Sequence, residues 1–297
     1  MAARGEFFPD RGSALVRALC RAYSRPSGEG SGLRLALGLD AAWTATEPSG
    51  VALAQESADG WRLLAVESSY ARFRERAAGR APDSAPRGEP PDVASLLDAC
   101  QRLGGRAPDL VAVDMPMART PIVGRRASDL AISRAFGAAK AATHSPSALR
   151  PGRLSDGLRA DFERQGFALC TVEGVRTPGL MEVYPHTALL ALTGERVRLT
   201  YKAGKTTIYW PGIGLDERRA RLREVWRGIA AALDAQIAGV AEALPPPPAE
   251  TRGRALKAYE DRLDAVVCAY VAIAALRGEV RAYGDDISAI FVPASVP

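Results

Sequence analysis

"LRLALGLDAAWTATEPSGVALA", residues 33–54, closes an apolar segment on a single carboxylate, Asp40, and resumes an apolar segment after "PSG". Residues 33–40 have the length and composition of a buried strand. Residues 50–55 and 61–67 read as two further short strands, separated by the hairpin-type turn "ESADG". A buried strand that ends in an acid has two explanations. The aspartate starts a turn, or it is the first ligand of a metal site that the rest of the chain completes.

Working outward, residues 70–91 are rich in Arg, Pro, Gly and Ser and read as a surface loop. Val93, Leu96, Leu97 and Cys100 have helical spacing, with Asp92 as N-cap and Gly104 as stop. "PDLVAVDMP" (108–116) then gives a second apolar strand ending in an acid, Asp114. Helices are expected over 125–139 and 154–165, with "THSPSALRPG" (143–152) as a loop between them. "GLMEVYPHTALLAL" (179–192) reads as a strand, a proline break and a short apolar helix. Residues 196–213 are irregular and aromatic. Long helices are expected over 215–244, stopped by "PPPP", and over 251–276, before a terminal hairpin or strand in 281–293. Three antiparallel strands, a helix and then a parallel strand indicate one mixed-sheet α/β domain over 33–297, with 196–248 as a helical insertion or cap. Residues 1–32 read as an arm with a short helix near 13–23 and the linker "RPSGEGSG".

Composition narrows the function classes. Of 297 residues, 47% are hydrophobic and 25% charged, as in ordinary globular proteins. No apolar run approaches ~18 residues, so no membrane span is expected. Cys20, Cys100, Cys170 and Cys268 lie far apart, which fits a reducing cytoplasm and no disulfide-linked partner. Two histidines, His144 and His186, exclude a multi-histidine metal cage. The net charge of +5 is compatible with polyanionic partners without establishing them. Lysine is scarce: Lys140, Lys202, Lys205 and Lys257 are the only four among 39 basic residues.

Asp40 and Asp114 end predicted buried strands, and in open α/β sheets ligands bind at that edge. Glu182 sits near a third strand. Asp261 and Asp264, three apart, share a helix face, and Asp264 heads the apolar stripe Cys268, Val271, Ala272, Ala275. The strand acids have a simpler explanation as turn formers, and Glu182 as a strand-edge charge. A mid-helix acid on an apolar face needs a partner, because an unpaired buried charge costs several kcal/mol. Carboxylates gathered together raise one another's pKa unless cations intervene. Mg²⁺ or Mn²⁺ suits such oxygen ligands, and two ions roughly 4 Å apart activate water and stabilise the leaving oxygen in phosphodiester cleavage.

The ordered set "GLDAAWTATEPSGVAL", "VAVDMPM", "EVYPH", "YK" and "YEDRLDA" resembles an uncharacterised bacterial and archaeal family described as predicted ribonuclease-H-like nucleases. The likeness covers roughly residues 33–293, and "EVYPH" and "EDRLDA" carry most of it. It implies a ribonuclease-H-like fold: a five-stranded sheet, three strands antiparallel and two parallel, flanked by helices. The spacing of the helix acids is similar to that of the Holliday-junction resolvase branch of the superfamily. On this resemblance Asp40 bridges two metal ions, Asp114 is the second-strand ligand, Asp264 assisted by Asp261 holds one ion, and Glu182 is a further ligand.

Around these acids, His186 is placed to shuttle a proton to the leaving oxygen, or else is a helix-entry histidine bonded to backbone. His144, among hydroxyls, suits phosphate contact or a structural turn. Residues 196–227 hold nine Lys or Arg against three acids, interleaved with Tyr201, Tyr209, Trp210 and Trp226. That pattern fits nucleic acid, or for its helical part a solvated face with Trp226 in the core. Lys202, Lys205, Arg125 and Arg126 are candidate phosphate ligands. The expected function is metal-dependent phosphodiester hydrolysis, with nucleic acid as the default substrate and a small nucleotide or another phosphoester as the alternative. The rivals are a non-catalytic nucleic-acid or nucleotide-binding protein, and an actin-like ATP-dependent phosphotransferase. The latter lacks the expected glycine-rich phosphate turn, with Trp43 standing in its place.

Overall fold

The computed structural model describes residues 33–81 and 85–294. Strand β1 (Leu35–Asp40) shows how the sequence sets the layers. Leu35, Leu37 and Leu39 fill a core on one side of the sheet, while Ala36 and Gly38 present almost no bulk to the other. β1 pairs antiparallel with β2 (Gly50–Ser57), and β2 with β3 (Gly60–Glu67). On the far side of β1, β4 (Leu110–Val113), β6 (Gly179–Val183) and β9 (Ala289–Pro293) follow in parallel. β8 (Val280–Gly284) closes that edge antiparallel to β9. Two-residue strands β5 (Ala168–Leu169) and β7 (Ile237–Ala238) pair with β6 and β3. The result is a mixed α/β sheet of nine strands in the order β7-β3-β2-β1-β4-β6-β9-β8, with β5 beside β6. It is wider than the five strands expected.

Helices cover both faces. α1 (Tyr70–Ala77), α2 (Val93–Gly104) and α4 (Arg153–Arg164) pack on the leucine side through Phe73, Leu96 and Phe162. α3 (Ala127–Phe136) packs near the β8–β9 edge with Ile132 and Phe136. α5 (Pro185–Thr193), α6 (Leu215–Asp234) and α7 (Gly253–Leu276) cover the other face. In α7 every residue from Leu263 to Ala275 is buried, the mark of a helix enclosed on all sides.

Two glycines let α7 lie directly on the sheet. A Cβ on Gly38 would stand 2.1 Å from the Ala265 carbonyl oxygen, and one on Gly50 would stand 2.0 Å from that of Asp261. Gly50 is the ladder partner of Asp40. The close approach therefore brings the acid-bearing turns of α7 to the carboxyl end of β1.

Three expectations need correction. Residues 70–91 are not all loop: α1 forms because Ser69 caps it, accepting from the Arg72 amide at 3.3 Å, and Tyr70 and Phe73 share a buried face. The helix expected over 215–244 ends at Asp234; β7 follows, and Gly239 at φ 90° turns the chain into a single further helical turn. α2 runs through Gly104 and stops at Gly105, in the left-handed region at φ 76°. The short helix expected near 13–23 lies outside the described residues.

Candidate functional site

Asp40 and Asp114 come together because β1 and β4 are parallel neighbours. Leu39 pairs with Val113 in register, and the Asp114 amide donates to the Leu39 carbonyl at 2.8 Å. Leu39 and Val113 enter the leucine-side core, so by alternation the two acids face α7. Neither forms an ion pair with a lysine or arginine among the described residues. Burial pushes the Asp114 carboxyl up to about 7. Burial, with Asp264 and Asp261 close by, pushes Asp40 well above the carboxylate range, and Asp40 shares a hydrogen bond with Asp261.

α7 supplies the adjoining wall. Asp264, with no solvent exposure, accepts from the Tyr201 hydroxyl at 2.9 Å and from Lys202 Nζ. Glu260 accepts from the Ala203 amide at 2.6 Å and from Lys257 Nζ at 3.1 Å, and Lys202 Nζ lies 3.5 Å from it. Asp261 accepts from Lys257. Burial works against a charged Lys202, yet Asp264, Tyr201 and Glu260 outweigh it and hold its pKa well above the ordinary lysine value. Three buried acids and two lysines thus alternate in one lattice, which is how buried carboxylates escape an uncompensated charge.

This lattice bears on the expected pair of metal ions. Both oxygens of Asp264 and both of Glu260 are engaged, and among the described residues no group of three or more His, Cys, Asp or Glu is arranged to hold a metal ion. An ion on the helix acids requires Lys202 to leave Asp264. Asp40 and Asp114 remain open, and two carboxylates completed by waters and substrate oxygens are a habitual Mg²⁺ environment. An ion at this edge of the sheet would be held by Asp40 and Asp114.

Glu182 lines the same pocket as Asp40 and Asp114 but is held by an arginine. It pairs with Val113 in register and so points to the opposite side of the sheet from Asp114. It accepts from the Met117 amide at 2.8 Å and from both terminal nitrogens of Arg126, at 2.7 Å to Nη2. Arg126 also holds Asp129 and the Met117 carbonyl, so its guanidinium is committed to structure. Arg125 turns to Ser133 and the Asp129 carbonyl on α3, and does not line the pocket.

Asp40, Asp114, Glu182 and Glu260, but neither Asp261 nor Asp264, line a pocket of about 690 Å³, the size of a small-molecule site. Trp43, His144, Arg198 and Lys205 line it with Lys202 and Lys257. His186, the second residue of α5, lies between Tyr184 and Tyr201 with ring centroids 5.2 Å away on each side. Among the described residues its Nδ1 has no hydrogen-bond partner. Burial, with Lys202 and Arg198 nearby, pushes it well below the usual histidine value, so it is neutral at pH 7. Tyr201 and Trp226 are core residues joined by an indole-to-carbonyl bond of 2.8 Å and offer no exposed ring for stacking. On α6, Arg219, Arg221 and Arg227 pair with Asp216, Glu217 and Glu224, a solvated face.

The sequence reading missed Lys257, Glu260 and Arg150 as site residues, and counted Arg198 only among the nine basic residues of 196–227. Lys257 was legible: it precedes Glu260 and Asp261 by three and four residues, in a chain with four lysines. Cys100, Cys170 and Cys268 are buried free thiols, and no helix among the described residues is long and apolar enough to cross a membrane.

Over residues 38–288 the chain matches the model of a family described as a protein of unknown function, DUF429, and it belongs to that family. Searches of curated proteins and of solved structures give no match.

Proposed function

We propose that this DUF429 chain is a divalent-metal-dependent phosphodiesterase on a ribonuclease-H-like core, acting on nucleic acid. One observation carries the reading: two carboxylates that form no ion pair among the described residues, Asp40 and Asp114, end adjacent parallel strands on one face and open into a pocket lined by lysines and arginines. The strand order β3-β2-β1-β4-β6, three antiparallel and then two parallel, supports the fold assignment. Asp40 and Asp114 would hold the ion, which when bound supplies an acidified water and charge stabilisation at a phosphoryl oxygen. The chain's own part is orientation and charge. Lys202 sets a positive charge beside the acids, Arg198 and Lys205 attract phosphate, and neutral His186 is available as a proton acceptor. Closure of α7 over the sheet keeps bulk water from the helix acids.

The lysine lattice favours a second reading, a phosphate-ligand binding protein without catalysis, because it neutralises the helix acids with no metal. A cleavage panel separates the two. Labelled single-stranded, duplex and junction DNA and RNA are incubated with Mg²⁺ or Mn²⁺, beside Asp40→Asn and Asp114→Asn. The catalytic reading expects metal-dependent cleavage, lost in both folded variants. Cleavage by neither the wild type nor the variants, with retained nucleic-acid binding, establishes the second reading.

A further inference from the structure

The pocket's cations fall into two groups that behave differently. Lys202, Lys257 and Arg126 are each held by carboxylates. Arg198 and Lys205 are half-buried, and neither they nor Arg150 form an ion pair among the described residues. Three of the chain's four lysines line this one volume, in a protein that elsewhere uses arginine almost exclusively. Coding bias does not explain that concentration.

These cations also feel one another. Burial, then Arg198 and Lys202, hold Lys205 below the ordinary lysine value. His144 is pushed down by burial and then by Lys205, Arg198, Lys202 and Arg150. The segments that carry them are tied in place. The Arg198 amide donates to the Ala139 carbonyl at 2.9 Å, the Tyr184 hydroxyl to the Ala142 carbonyl at 3.1 Å, and the Lys205 amide to the Lys202 carbonyl at 3.0 Å. His186, 5% exposed and with its Nδ1 unpartnered among the described residues, lines the same pocket. Glu260 is the acid that acts on Lys205, and it is already held by Lys257 and the Ala203 amide, so like charges fixed together destabilise the empty site and an anion relieves them.

We propose that Arg150, Arg198, Lys205 and His144 form a binding site for a dianionic phosphate, a terminal phosphate monoester of the substrate; this rests on the phosphoester reading of the same pocket. A diester group brings one negative charge. A monoester carries about −1.5 to −2 at pH 7, the better match to two arginines, a lysine and a histidine that protonates as the anion arrives. Lys202 adjoins both regions, influencing Asp40 and Asp114 as well as His144 and Lys205.

The test is calorimetric titration of the full chain with inorganic phosphate in chelator, beside short oligonucleotides carrying a 5′-phosphate, a 3′-phosphate or neither. Phosphate should bind, and in two buffers of different ionisation enthalpy the wild type should take up more protons than His144→Phe, the protons released by phosphate itself being common to both. Arg198→Gln and Lys205→Gln should each weaken binding at least tenfold with unchanged circular dichroism, while Lys205→Arg should retain it. One phosphorylated oligonucleotide should bind at least tenfold more tightly than its unphosphorylated twin. No phosphate binding, binding unchanged in the Gln variants, or equal affinity for all three oligonucleotides overturns the proposal. Because metal is absent, failure of the hydrolytic function leaves these outcomes untouched: phosphate binding without cleavage upholds this site and counts against hydrolysis alone.

Discussion

Lys202 Nζ donates to the carboxylate of Asp264 inside the protein, at a residue with no solvent exposure. The mid-helix acid that the sequence marked as needing a partner has one, and it is a lysine. Positive charge reaches the helix acids from the chain itself, while the strand acids form no ion pair among the described residues.

Breaking that pair strands a buried charge. Lys202→Met should lower the unfolding free energy by about 3–5 kcal/mol, whereas Lys202→Met with Asp264→Asn should recover much of the loss. Urea denaturation of the four proteins of this cycle measures the coupling. Additive effects would mean the two groups do not meet.

Gly50→Ala forces a methyl group to within 2.0 Å of the Asp261 carbonyl oxygen unless α7 moves. Overpacking of this kind costs about 1–3 kcal/mol, sometimes more. The expected outcome is a lower urea midpoint with an unchanged slope. An unaltered midpoint would show that α7 does not lie on β2 as described.

The strand acids make the metal-free protein sensitive to pH. Asp114 titrates near 3.8 when unfolded and at about 7 when folded, so the folded state binds the extra proton. Its contribution is fully present below the unfolded value and is lost as pH rises to about 7. Stability without metal should fall across that window, and Asp114→Asn should flatten the slope. Because a bound ion displaces the proton, Mg²⁺ affinity should climb over the same range. Melting temperatures from pH 4 to pH 8, with chelator and with Mg²⁺, check both trends.

Glu182→Gln should act through stability alone. It weakens the Arg126 clamp, and the loss should appear as a lower melting temperature with divalent-ion affinity retained. Loss of metal affinity in a fully folded Glu182→Gln protein would return this residue to the metal site.

The fold and the strand acids were legible for a local reason. β1 and β4 are short apolar runs whose last residue changes from Leu or Val to Asp, and alternation within each strand gives the face. Glu182 was not legible in the same way. Its side of the sheet depends on where β6 sits against β4, and a one-residue shift of register reverses every side chain. The partners of Asp264 lie 62 and 63 positions away in an irregular segment, beyond any periodicity. α1 was hidden by its arginines, which pair with Glu67 and Glu89 while Tyr70 and Phe73 form the buried stripe. Lys257 needed only the helical spacing already applied to Asp261 and Asp264.

Mn²⁺ titration followed by electron paramagnetic resonance counts the ions held by the intact chain. One ion per chain is expected, and none in Asp40→Asn or Asp114→Asn proteins that remain folded. No bound Mn²⁺, or an ion that survives both substitutions, would contradict the assignment of these two aspartates as the metal site.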